Sequence, residues 1–269
     1  MLSMVDLNVR YPPAAGGSDR VTHALYDVSL DIDTGSFVAI VGPSGCGKTT
    51  LLNVVAGLVK PSSGTAVLDG ERITGPGASR AVVFQHASLF PWRTVLDNVV
   101  FGAEVQRLGN RRQRKEKARA LIEMVGLSGT ENKRPFQLSG GMRQRINLAR
   151  ALMLEPQVLL MDEPFASLDA HTRRLMQEEL LGIWERVKAT TLFITHDISE
   201  ALYLADTVYV MSPSPGRIIG RLDISLDRPR PEDARTDTRM AQWERRIDHA
   251  IRSGGRADAD EHAIDATHV

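Results

Sequence analysis

One cysteine, Cys46, is all the sequence offers in 269 residues. That count excludes an internal disulfide and any multi-cysteine metal site, and it points to a reducing compartment, most simply the cytosol. Neither sign of charge is in excess, with 33 Lys and Arg against 33 Asp and Glu. A broad electrostatic grip on DNA or RNA is therefore not expected, and no nucleic acid is counted among the partners. No apolar run approaches the ~18–20 residues that span a bilayer. Met1–Arg10 alternates apolar and polar residues and lacks the apolar stretch of a signal peptide. No internal repeat is present. What remains is ordinary for a globular chain: 42% apolar and 25% charged residues. That is enough apolar side chain to build a core, so disorder is not the expected main state.

Short, continuously apolar runs punctuate the chain at Phe37–Val41, Ala81–Phe84, Val158–Met161, Thr191–Ile194 and Val208–Met211. Each is too short for a helix and reads as a strand buried on both faces of a mostly parallel sheet. Helical patterns at Thr49–Leu58, Ala170–Val187 and Ser199–Ala205 lie between them, so the expected class is α/β with crossover helices. From about Leu89 to Leu154 no such run occurs. The spacing of Ala118, Leu121, Ile122 and Val125 predicts a helical insertion there, and the basic stretch Arg111–Arg119 reads as the solvated face of one helix. Met240, Trp243, Ile247 and Ile251 fall on one helical face and predict a docked helix. After Ser253 the composition predicts disorder.

Gly42-Pro43-Ser44-Gly45-Cys46-Gly47-Lys48-Thr49 matches G-x-x-x-x-G-K-[ST] in full, with a strand before it and a helix after. Glycines let the backbone curl until several N–H groups face one phosphate, and the helix adds its positive end. Lys48 supplies a point charge for the β- and γ-phosphates, and the Thr49 hydroxyl suits Mg²⁺. Cys46 lies near a helix N-terminus, a setting able to favour the thiolate, but the preferred reading is a small residue filling a variable slot of the loop. The Val158–Met161 run ends in Asp162 and Glu163. One of these carboxylates holds Mg²⁺ while the other orients or deprotonates an attacking water.

Leu138-Ser139-Gly140-Gly141-Met142-Arg143-Gln144-Arg145 resembles the signature of ATP-binding-cassette (ABC) ATPases. The resemblance runs from about Val5 to about Ile251. It implies a P-loop NTPase core with a mostly parallel sheet flanked by helices, an inserted helical subdomain and a small β-rich N-terminal part. On it, residues 1–252 form the ATPase domain: core at about 1–87 and 155–215, helical subdomain at about 88–154, and a C-terminal extension at about 216–252. Glu163, His196 and Lys48 take the catalytic roles. ATP contacts fall to Tyr11, Gly42, Pro43, Ser44, Gly45, Cys46, Gly47, Lys48, Thr49, Thr50, Gln85, Ser139, Gly140, Gly141 and Asp169. Thr49, Gln85 and Asp162 serve Mg²⁺. Gln85, ending the second strand run, resembles the glutamine that senses the metal and contacts the transport partner. Ser167-Leu168-Asp169 resembles the loop that couples two sites across a dimer, and His196 resembles the histidine that reaches the γ-phosphate.

Two cassettes of this family pack head to tail, each signature covering the other's ATP. The segments Thr74–Ala78, Ala81–Gln85 and Leu89–Val99, with Pro164-Phe165 and Pro215–Arg217, resemble the nitrate/sulfonate/taurine importer group of bacterial cassettes. Ser167 departs mildly, since many of these importers have Ala there. That resemblance implies a motor subunit on the cytoplasmic face of the bacterial inner membrane. Its partners would be transmembrane permease subunits docking near Gln85 and Phe90–Arg93, and, indirectly, a periplasmic or lipid-anchored substrate-binding protein. A soluble, non-transport cassette ATPase of DNA repair or translation is the alternative. Such proteins usually carry two cassettes, a long coiled-coil insertion or zinc-binding cysteines, none of which is present. A nucleotide-gated module without turnover is the third reading, and Glu163 and His196 argue against it.

Overall fold

The computed structural model describes residues 1–13, 21–230 and 232–254. The Gly-rich stretch beyond Pro13 lies outside them, as does the tail expected to be disordered, apart from Ser253 and Gly254. The chain forms two compact units: Met1–Gly77 with the chain from Thr190 onward, and Ala78–Ala189.

In chain order the first unit opens with β1 (Leu2–Tyr11), β2 (Thr22–Ile32), β3 (Phe37–Val41), α1 (Lys48–Ala56), β4 (Ser63–Leu68) and β5 (Glu71–Arg72). The second unit holds β6 (Arg80–Val83), α2 (Val95–Val105), α3 (Arg111–Met124), α4 (Gly140–Leu152), β7 (Val158–Asp162) and α5 (Ala170–Val187). The first then resumes with β8 (Thr190–Thr195), α6 (Ile198–Leu204), β9 (Thr207–Met211), β10 (Ile218–Asp223) and α7 (Thr238–Arg252).

In the first unit, β3 is buried along its whole length. It pairs in parallel with β8 on one side and β9 on the other, and β10 adds an antiparallel edge to β9. Phe37 and Phe193 meet across β3 and β8 with ring centroids 5.8 Å apart. A second, antiparallel sheet takes the order β2-β1-β4-β5. Its β1 buries Leu2 and Met4, then Leu7 and Val9, a slip in the alternation. The slip falls at Asp6, which adopts φ 51 where the pairing with β2 shifts register. One extra residue there returns the apolar side chains to the core face. Helix α7 buries Met240, Trp243 and Ile247, while Ile251 stays half-buried. It lies against α6, β9 and β10, as the helical stripe predicts.

In the second unit, β6 and β7 pair in parallel. The segment between them holds α2, α3 and α4 and no strand among its residues, in line with the helical insertion. The compact unit is wider than residues 88–154, because β6, β7 and α5 cluster with those helices. Asn110 and Gln113 cap α3 reciprocally. Ala118, Leu121 and Ile122 bury one face of it while Arg111, Arg112 and Arg119 are exposed on the other. Strand β6 stops at Val83, so Phe84 and Gln85 lie beyond the strand and not at its end; both are exposed. Among the described residues no helix is long and apolar enough to cross a membrane.

Candidate nucleotide site

The loop from Gly42 to Gly47 joins β3 to α1, and its glycines are required by space and by backbone angle. A Cβ on Gly42 would stand 2.9 Å from the Met211 carbonyl oxygen and 3.0 Å from Cys46 Sγ. Gly45 and Gly47 adopt φ 76 and 107, in the left-handed region that disfavours side chains. Gly47 is also the N-cap of α1, and no side chain caps that helix start. The positive end of the helix dipole is thus not offset by a capping side chain and suits an anion.

Lys48 is 5% exposed. Its Nζ donates to the Gly42 carbonyl at 2.8 Å and to the Pro43 carbonyl at 3.0 Å. It also reaches Cys46 Sγ at 3.9 Å, and none of these three partners is a carboxylate that would neutralise it, which leaves its charge for phosphate oxygens. Thr49 and Ser44 are exposed along the same loop. Tyr11 Oη and Thr50 Oγ1 lie 3.4 Å apart, so the end of β1 stands beside the start of α1.

Cys46 departs from the thiolate reading and fits that of a small residue filling the loop. Its side chain is 1% exposed, and burial pushes the thiol above its ordinary value; the nearby Lys48 charge acts the other way and is the smaller effect. Proximity to a helix start does not make this cysteine a thiolate.

His196 is brought to the same edge by strand register. Val41 pairs with Thr195 in the parallel β3–β8 ladder, so Gly42 and His196 leave neighbouring strands side by side. His196 is exposed, and Asp197 caps α6 immediately after it.

The second unit gathers the remaining residues. Strand β7 is buried through Met161, and Asp162 and Glu163 emerge half-buried. Glu163 adopts φ 43. A left-handed backbone at a non-glycine residue costs about 1–3 kcal/mol and clusters at functional sites. Asp169 caps α5, accepting from the Thr172 N–H at 3.0 Å and the Thr172 hydroxyl at 2.6 Å. Those bonds hold its exposed carboxyl below the usual range. Ser139 caps α4, its hydroxyl accepting from the Met142 N–H at 3.2 Å. A Cβ on Gly141 would lie 3.3 Å from Thr172 Cγ2, and one on Gly140 would lie 3.7 Å from Leu168 Cδ2. The Ser139–Gly141 turn and the Ser167–Asp169 loop are therefore neighbours.

One residue of the signature was given no individual role by the sequence reading. Gln144, buried on α4, donates from Nε2 to the Phe84 carbonyl at 3.2 Å and so ties the residue before Gln85 to the Ser139–Gly141 helix. Its place in the Leu138–Arg145 signature was the signal that could have found it.

Comparison with known proteins identifies the family. The ABC transporter family pattern matches residues 25–166. The chain is 49% identical over 223 residues to the nitrate import ATP-binding protein NrtD of Synechococcus elongatus, covering 81% of each chain. It is 50% identical over 203 residues to the taurine import ATP-binding protein TauB of Yersinia pestis, covering 76% of this chain and 79% of that one. A solved dimeric ATP-binding cassette, in a post-hydrolysis state bound to ADP and Pi, superposes with a TM-score of 0.73 at 28% identity, covering 84% of this chain and 100% of the other. The chain belongs to the ABC transporter family, as an ATP-binding, ATP-hydrolysing subunit of the importer group that includes those two relatives.

Proposed function

We propose that this chain is the motor of a bacterial importer for a small anion such as nitrate, taurine or an aliphatic sulfonate. It works as a head-to-tail dimer on the cytoplasmic face of the membrane. The observation that carries this reading is the Gly42–Thr49 loop, with its uncapped helix start and carbonyl-held Lys48, in register with His196.

ATP lays its phosphates on the loop amides, and Lys48 exchanges the Gly42 and Pro43 carbonyls for β- and γ-phosphate oxygens. Glu163 accepts the proton of the attacking water, and His196 bonds the γ-phosphate. Ser139–Gly141 of a second copy close over the same nucleotide. The donors assigned to Mg²⁺ are all oxygens: the Thr49 hydroxyl, the Gln85 amide and the Asp162 carboxylate. They suit a hard cation that keeps several waters. Such an ion, when bound, neutralises phosphate charge. Binding favours the closed dimer and loss of the γ-phosphate the open one, by differential affinity.

The exposed aromatic platform of the second unit supports permease docking near Phe90–Arg93. Phe90 packs edge-on against Phe101 with centroids 4.5 Å apart, and Trp92 packs on Phe90 at 5.5 Å while remaining 68% exposed. Arg93 stacks over Phe101 at 4.7 Å and pairs with Glu104 at 3.0 Å. A rigid, exposed Trp beside an Arg suits a protein contact. A substrate-binding protein would be reached only through the permease.

The test is reconstitution with the permease subunits in vesicles. ATP-dependent uptake of nitrate, taurine or a sulfonate is expected. ATP hydrolysis that never drives uptake of any small anion would remove the importer reading.

A further inference from the structure

His196 lies between two backbone positions tied by one chain of hydrogen bonds. The Asp197 N–H donates to Thr195 Oγ1 at 3.0 Å. The Thr195 hydroxyl donates in turn to Glu200 Oε2. Asp197 Oδ1 closes the circuit by accepting from the Glu200 N–H at 3.1 Å. In an ordinary capping box the third helical side chain accepts directly from the N–H of the cap residue. Here a hydroxyl stands between them, and the circuit widens to enclose His196. Thr195 is 2% exposed and Glu200 4%, while His196 faces solvent. A carboxylate buried so deeply costs free energy unless it is well bonded. Closing Thr195 Oγ1 on the Asp197 N–H restricts both backbone dihedrals of His196. The other end of the arrangement is fixed by the pairing of Thr195 with Val41, the residue before Gly42.

We infer that Thr195 and Glu200 are positioning residues that hold the His196 backbone at one place and angle beside the phosphate loop. Neither side chain needs to touch the nucleotide. The inference rests on the role given above to His196, and it adds the reason that this histidine is correctly placed before ATP arrives. Misplacement of a reacting group by about 1 Å costs up to about a hundredfold in rate. The expected signature is therefore a loss of turnover with ATP affinity kept.

The experiment measures kcat, KM, binding of a fluorescent ATP analogue and melting temperature on the purified full chain. Thr195→Val removes the relay and is expected to lower kcat by about ten- to a hundredfold, with KM and analogue affinity within about twofold of the unaltered chain. Thr195→Ser, which keeps the hydroxyl, is expected to recover most of that loss. Thr195→Ala carries the same prediction as the valine variant should that one fail to fold. In a His196→Ala background, Thr195→Val should leave the residual single-turnover rate unchanged, because the relay then has nothing to position. A further drop in that background, or kcat and KM worsening together with a lowered melting temperature, would mean a structural role only and overturn the inference. Normal turnover in Thr195→Val beside an inactive His196→Ala would overturn it while sparing the role of His196. Normal turnover in His196→Ala would remove both.

Discussion

Lys48 holds its own loop together. Its ammonium bonds to Gly42 and Pro43 draw in the two carbonyls at the start of the turn. Lys48→Ala loses this brace as well as the charge offered to phosphate. Each hydrogen bond to a charged group is worth about 1.5–3 kcal/mol, so ATP affinity should fall by about tenfold or more; an unchanged dissociation constant in calorimetry would contradict the loop assignment. Cys46, within the same turn, has its thiol raised by burial. The unfolded chain ionises this thiol at the ordinary value and the folded chain only above it. Stability is therefore unaffected below the ordinary thiol range and is lost as pH climbs from there through the folded value. Iodoacetamide labelling of the native chain should lag behind that of the urea-unfolded chain across pH 8 to 9; equal rates would show that the thiol is accessible and unshifted. Lys48 and Thr49 were legible because a contiguous motif states both residue type and place. The burial of Cys46 was not, since it depends on Met211 and Gly216, far along the chain, packing beside Gly42 and Cys46.

At the scale of elements, legibility followed the geometry of burial. β3, β7, β8 and β9 are buried on both faces, so they stand out as unbroken apolar runs. β1 and β2 did not stand out individually. Each carries an irregularity at a left-handed Asp, Asp6 or Asp27, that shifts the alternation midway. Gly64 on β4 answers the first of these, since a Cβ there would lie 2.2 Å from the Asp6 carbonyl oxygen. Such compensation is written in residues far apart and does not show as a period. Helix α3 opens with Arg111 and Arg112, whose charge opposes the positive end of the helix dipole. Its start therefore leans on the Asn110–Gln113 box, with bonds of 3.0 and 2.9 Å. Asn110→Ala should cost about 1 kcal/mol, measured as a lowered urea midpoint with unchanged slope; a midpoint that does not move would mean that tertiary packing alone holds the helix.

For the whole molecule the strongest prediction concerns two copies. Glu163→Gln keeps the shape at the end of β7 and removes only the basicity. The variant is expected to bind ATP with near-normal affinity, to hydrolyse it at least a hundredfold more slowly, and to accumulate as an ATP-bound dimer in light scattering. Near-normal hydrolysis would remove Glu163 from the proton-accepting role, and a monomer at saturating ATP would remove the head-to-tail arrangement. The helical insertion was visible at this scale from the missing strand runs between Leu89 and Leu154. The full extent of the second unit was not, because the clustering of β6, β7 and α5 with those helices depends on contacts that no local pattern encodes.

The position of β3 between β8 and β9 has a consequence for biosynthesis. More than half of the chain separates β3 from both of its neighbours. As the polypeptide leaves the ribosome, the glycine turn emerges early and waits, its supporting strand unflanked, until β8 and β9 have been made. A product that stops short of Met211 lacks a flanking strand of the cradle, so the ability to engage nucleotide marks a chain made at least that far.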